Sequence, residues 1–360
     1  MNKSIAKRET TRARIAEHCR TYPALAPEDL FKYLYQSAFG CEHLVTDGET
    51  VLACLHREYE TVAPAAEAPL CEPLDGAYSR AGLALLGRGL APKTLAKLFC
   101  LSAKKEENGE EELREKLALA RAMAADGELP FSAEDFFAKA DAWEEKGCPA
   151  LHHSGAFRER YRPAYRVLAN RFADFLEVFV AIDRLLARGK TVIAIEGGSA
   201  SGKSTLAATL AEVYAPAVIH MDDFFLRPEQ RTPARMAEVG GNLDRERFAE
   251  EVLAPLGRGE TVRYRRFDCS VGLLGEAVAV PQNQLTVIEG AYSMHPAFGE
   301  YYDLALFLDV APDTQKARIE KRNTPALAHR FFTEWIPKEN AYFEEMGIRE
   351  RAGLRIKIED

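Results

Sequence analysis
"IEGGSASGKSTLA", from Ile195 to Ala207, decides the reading of this chain. Gly197, Gly202, Lys203 and Ser204 fit the pattern G-x-x-x-x-G-K-[ST]. Glycines in a loop of this kind let the backbone approach a phosphate with no Cβ in the way. Successive N–H groups turn inward, and the helix that follows adds its positive end. The spacing therefore predicts that Gly197, Gly198, Ser199, Ala200, Ser201, Gly202, Lys203, Ser204 and Thr205 hold the phosphates of a nucleotide. Lys203 would supply a point charge for the β- and γ-phosphates, and the Ser204 hydroxyl would ligate Mg²⁺. The flanks agree, because "TVIAIE" reads as a strand before the loop and an Ala/Leu-rich helix follows it.

Further β-rich apolar runs follow: "AVIHMD" (217–222), "LTVIEG" (285–290), "LALFLDV" (304–310) and "LRIKIE" (354–359). Helical stretches at 203–214, 244–257 and 312–322 lie between several of them. Continuous apolar strands alternating with helices predict a parallel sheet with helices on both faces. The expected class is thus an α/β fold over 189–360, a parallel sheet with the P-loop at its first strand. The stretch before it reads as an all-α domain over 1–188. "PEDLFKYLYQSAFG" has helical apolar spacing and stops at Gly40, and "NGEEELREKLALARAMAADG" repeats the pattern. "SAEDFFAKADAWEEKG" opens on Ser132 as N-cap, and 164–188 reads as one long amphipathic helix.

Composition narrows the function. The chain has 360 residues, 47% hydrophobic and 28% charged, with a formal charge of -8. That balance does not indicate a nucleic-acid-binding surface. No apolar run reaches the ~18 residues of a membrane span, and the charged N-terminus lacks a signal-type apolar stretch. A cytoplasmic location, a small-molecule substrate and no membrane or nucleic-acid partner are expected. The seven cysteines include no C-x-x-C pair and imply no disulfide framework.

Acids at the ends of the later strands carry the chemistry. In an open parallel sheet, ligands bind beyond the carboxyl ends of the strands. Asp222 in "HMDDFF" is the expected base for a substrate hydroxyl, and Asp223 a Mg²⁺ or structural partner. Glu289, ending "VIEG", is expected to hold Mg²⁺. Arg318 and Arg322 in "KARIEKRN" share a helix face and could clamp a transferring phosphate.

"GGSASGKST", "HMDDFF", "NLD", "VIEGAYSMHP", "YYDLALFLDV" and "RIEKRN" occur in the order found in the uridine kinase and phosphoribulokinase family of P-loop kinases, which residues 190–360 resemble. The resemblance implies transfer of the ATP γ-phosphate to a small-molecule hydroxyl, most readily a nucleoside such as uridine or a related metabolite, with Mg²⁺. It implies that Asp222 is the base and that Arg318 and Arg322 sit on a mobile lid. It implies too that Asp244 binds sugar hydroxyls and that Tyr264 lies near the base of a nucleoside. Two departures bear on pyrimidine recognition. The segment "RRFDCSVG" after Tyr264 lacks the family's His, and Asn323 stands where the lid usually has Asp.

Arg263, Arg265 and Arg266 form either an anion-facing strand or a solvent face, and His295 reads as structural. Cys41 with His43, and His152 with His153, lack zinc-finger spacing. The helical half reads as a docking and dimerisation domain, with a homodimer as its expected assembly. An alternative for the whole chain is an ATP-binding regulator whose helical half engages a partner.

Overall fold
The computed structural model describes residues 3–41, 47–60, 62, 69–103 and 107–358. His43 lies outside the described residues. The chain forms two compact units, Met1–Asp183 and Arg184–Asp360.

The first unit is mainly helical. Pro27–Phe39 ends at Gly40, Gly109–Ala125 follows the second helical pattern, and Ala133–Glu144 starts at Ser132, whose Oγ accepts from the Asp135 N–H at 3.1 Å. Three short strands add a small antiparallel sheet to the helical expectation: β1 (Cys71–Pro73), β2 (Tyr78–Gly82) and β3 (Tyr165–Ala169), in the order β1-β2-β3. β3 corrects the helix expected over 164–188. The Gly155–Tyr161 helix stops at Arg162, which is left-handed at φ 44°, and Pro163 disfavours helix in the residue before it. In the following "YRVLA", Tyr165 and Val167 favour strand and the segment pairs with β2, so helix resumes only at Asn170–Ala173 and Leu176–Leu186.

The second unit is built on the predicted parallel sheet. Its strands are β4 (Thr191–Gly197), β5 (Ala217–His220), β8 (Leu285–Glu289), β9 (Leu304–Val310) and β10 (Leu354–Ile358), ordered β10-β9-β4-β8-β5. Every neighbouring pair is parallel. β4 is central, and Ile193, Ala194 and Ile195 are wholly buried, which explains their unbroken apolar character. β6 (Val262–Asp268) and β7 (Leu273–Val280) form a separate antiparallel hairpin. The strand expected over 217–222 stops at His220, and a 3₁₀ turn, Met221–Phe224, carries both aspartates away from the sheet edge. Register places Ile195 and His220 on either side of Glu289, so three strand ends meet where β4 enters the glycine loop.

Candidate active site
The loop after β4 takes its shape from its small residues. Gly197 sits at φ 146°, and a Cβ there would lie 2.7 Å from the Leu308 carbonyl oxygen and 2.8 Å from Ser201 Oγ. Only glycine admits so close a pass of the β9 backbone. Ala200 at φ 57° and Gly202 at φ 103° put two further left-handed residues in the loop. Alternating backbone handedness of this kind lines up N–H groups into an anion-binding concavity. The Lys203–Tyr214 helix starts directly from it.

Lys203 Nζ donates to the carbonyls of Gly197 (2.8 Å) and Gly198 (2.9 Å), so the ammonium lies back across the loop. Ser204 and Thr205 are exposed on the first helical turn. Ser204 Oγ donates to Glu289 Oε1 at 3.0 Å, and His220 Nδ1 is hydrogen-bonded to the same oxygen at 2.6 Å. Burial pushes the Glu289 carboxyl up, but the bond and charge of His220, the Ser204 hydroxyl and Lys203 outweigh it and hold it below the ordinary glutamate range. The Glu289 bond in turn raises His220 against the burial that lowers it.

Asp222 keeps an open face to solvent, although the surrounding protein withdraws water from its carboxyl. That desolvation raises its pKa; Lys203 and His220 oppose the rise, and the charges of Glu289 and Asp223 add to it. Asp222 therefore belongs to the same electrostatic cluster as Lys203 and Glu289. Asp223 faces elsewhere: it accepts from the Tyr264 hydroxyl at 2.9 Å and pairs with Arg266 Nε at 3.6 Å.

The substrate residues implied by the resemblance sit deeper. Asp244 is 2% exposed and caps the Arg245–Phe248 helix, accepting from the Arg247 N–H (3.2 Å) and Gln230 Nε2 (3.1 Å). Tyr264 is 2% exposed, with its ring 5.0 Å from that of Phe224. Arg318, on the Pro312–Arg322 helix, donates to the Ala200 carbonyl at 3.4 Å, whereas Arg322 is exposed at that helix's end. Arg265 is spent on the carbonyls of Gly275 and Leu274 within the hairpin. His295 is buried and stacks 5.9 Å from Tyr342.

Four residues that sequence reading did not single out complete the loop's surroundings. His220 lay inside a quoted motif. Glu339 accepts from the Ser199 N–H (2.8 Å) and hydroxyl (2.7 Å), and Gln315 Nε2 donates to the Ser199 carbonyl at 2.7 Å. Glu196 is wholly buried and accepts from the N–H groups of Gly197 (2.9 Å), Tyr292 (3.2 Å) and Met294 (3.1 Å) and from the Tyr342 hydroxyl (3.0 Å). Burial raises its pKa to about 7 despite those donors. Sequence signals existed for His220, in the motif that holds the aspartates, and for Glu196, next to Gly197; Gln315 and Glu339 lie too far along the chain to give any.

Among the described residues no group of three His, Cys, Asp or Glu side chains could hold a metal ion. The Ser204–Glu289 pair suits Mg²⁺ instead, which favours few protein oxygens together with substrate phosphates. Cys41 is buried, with Sγ 3.7 Å from the Phe99 carbonyl oxygen, and His153 is held between Asp29 and Tyr165. No helix among the described residues is long and apolar enough to cross a membrane.

No family model matches the sequence, and no curated protein matches it. Among solved structures, a possible uridine kinase from Bacillus stearothermophilus is similar over 50% of this chain and 99% of its own, at 19% identity and a TM-score of 0.38. A candidate fructose transport system kinase from Silicibacter is similar over 49% of this chain and 96% of its own, at 24% identity and a TM-score of 0.40.

Proposed function
We propose that the Arg184–Asp360 unit is an ATP-dependent kinase that phosphorylates a hydroxyl of a small molecule, a nucleoside such as uridine or a related metabolite. The observation that carries this reading is the contact between Ser204 and Glu289 at the foot of the glycine loop, with Asp222 open beside it. A hydroxyl and a carboxylate at that place are the oxygen donors a triphosphate-bound Mg²⁺ takes. Mg²⁺ held there would offset charge on the β- and γ-phosphates.

The chain's own groups supply the rest. The amides of 198–204 cradle the phosphates, and Lys203 moves from its carbonyl partners to the phosphoryl oxygens. Asp222 accepts the proton of the acceptor hydroxyl as that oxygen forms its bond to the γ-phosphorus and the bond to the β-phosphate oxygen breaks. Its raised proton affinity suits it to this work, because a base is most effective when its pKa approaches the working pH. Arg318, already at the loop, and Arg322, on the same helix face, stabilise the charge that spreads over the transferring group. Asp223 orients Tyr264 and Arg266 and is proposed as a structural partner of the base. Asp244 and Tyr264, being buried, would shape the acceptor pocket from beneath.

The test is ADP release with a panel of nucleosides, pantothenate-like compounds and sugars. Turnover with at least one nucleoside is expected. ATP binding without transfer to any of them would favour a nucleotide-binding regulator.

A further inference from the structure
The Met1–Asp183 unit carries charges in its interior that phosphoryl transfer does not use. Arg80 (2% exposed) donates through Nε and Nη2 to Gln36 Oε1 at 3.0 and 2.8 Å, and lies 4.8 Å from the centre of the Tyr165 ring. Asp29, fully buried, accepts from Ser154 N–H (2.9 Å) and Oγ (2.7 Å) and is hydrogen-bonded to His153 Nδ1 at 3.1 Å. His153 Nε2 meets the Tyr165 hydroxyl at 2.7 Å. Arg80 also pairs with Glu72 at 3.5 Å, and since apolar residues of like size often stabilise a core as well as buried ion pairs do, this network invites a role besides folding. Interior charges beside a cavity are the mark of a site.

That cavity is present. It has a volume of about 380 Å³, within the range of small-molecule sites. Its polar lining includes Lys32, Gln36, His152 and Arg166, and its apolar lining includes Phe99 and Val167. Glu58 is the single acid in the lining among the described residues, and Arg166 holds both its oxygens, at 2.8 and 3.0 Å. Lys32 Nζ has one acceptor among the described residues, the Leu151 carbonyl at 2.7 Å, for its three protons. Behind the lining, Arg80 is paired with Glu72 and Asp29 is bonded to His153, so Lys32 and His152 are the donors that the described lining offers an anion.

We propose that this cavity binds a small organic oxyanion, a phosphate monoester or a carboxylate with a ring or short apolar body. Lys32 and His152 donate to the anionic head, Arg166 adds its charge, and Phe99 and Val167 pack on the body. Burial, followed by the field of Arg80, lowers the Lys32 ammonium to about 8, against the opposing charge of Asp29. A bound anion would offset both unfavourable effects.

Competitive labelling tests this on the intact chain. At pH 7, trace acylation followed by peptide mass spectrometry should find Lys32 more reactive than the exposed lysines. Millimolar phenyl phosphate or benzoate should slow Lys32 labelling by about tenfold, as expected near ten times the dissociation constant, and leave other lysines unchanged. Whichever of the two protects more strongly identifies the head group. His152→Gln, at an exposed position, should weaken that protection severalfold. Lys32 labelling unchanged by both compounds, or protection of full strength in His152→Gln, would overturn the assignment.

Discussion

Replacing Gly197 by alanine tests the loop where its geometry is tightest. The added methyl would lie 2.7 Å from the Leu308 carbonyl oxygen, 2.8 Å from Ser201 Oγ and 3.3 Å from Leu308 Cβ. Two of these neighbours are in the buried backbone or side chain of β9, which cannot retreat without disturbing its pairing with β4. Overpacking of this sort costs about 1–3 kcal/mol. The backbone at φ 146° adds about 1–3 kcal/mol more, since residues with a Cβ rarely adopt it. The expected loss is therefore about 2–6 kcal/mol of the second unit's stability. Gly202→Ala is the internal control. Its φ of 103° is also unfavourable, but no atom lies within 4 Å of the added methyl, so it should lose only the backbone part. The chain has one tryptophan in each unit, Trp143 and Trp335. Urea unfolding followed by Trp335 fluorescence in a Trp143→Phe background isolates the second unit. At a slope of about 2 kcal/mol per molar urea, Gly197→Ala should lower the midpoint by about 1 M or more. Equal midpoints for the two variants would refute the claim that close packing on β9, rather than backbone freedom alone, demands glycine at 197.

Glu289→Gln should raise the Mg²⁺ concentration for half-maximal activity by about 10–100-fold, read from a Mg²⁺ titration at saturating ATP. The His220 proton competes for the same oxygen, so in the wild type the half-saturating Mg²⁺ should fall as pH rises above the usual imidazole range, and His220→Asn should abolish that trend. Glu196 holds its proton to about pH 7 in the folded chain, against an ordinary value of 4.5. The folded state thus binds more protons than the unfolded one between those values, and stability should decline across that window as pH rises, by about 3 kcal/mol in all. Glu196→Gln should flatten the urea midpoint over pH 5–8.

Local chemistry made part of this architecture readable. The glycine loop, the helix after it and the apolar runs of β4, β8 and β9 each follow from residues close in sequence, and buried parallel strands carry a strong signal. The strand β3 was hidden because "YRVLA" continues an apolar spacing that also suits a helix; Pro163 and pairing with β2 decide it. The loop's partners show a different limit. Gln315 and Glu339 lie 116 and 140 residues beyond Ser199 in the chain, and they meet it through contacts that no short pattern encodes. The different surroundings of Asp222 and Asp223 could not be read from "MDDF": the 3₁₀ turn leaves one exposed beside Lys203 and sets the other against Tyr264. In the first unit, His153 read as half of a His pair, yet its neighbours come from Asp29 and Tyr165, and only the fold assembles that network.

Single-turnover phosphoryl transfer by Asp222→Asn, with ATP affinity measured on the same preparation, probes the proposed chemistry most directly. The substitution keeps the side chain's size and removes its ability to take a proton. The rate should fall by about 10²–10⁴ while ATP binding stays near the wild-type value. A wild-type transfer rate in Asp222→Asn would contradict the assignment of that carboxylate as the base.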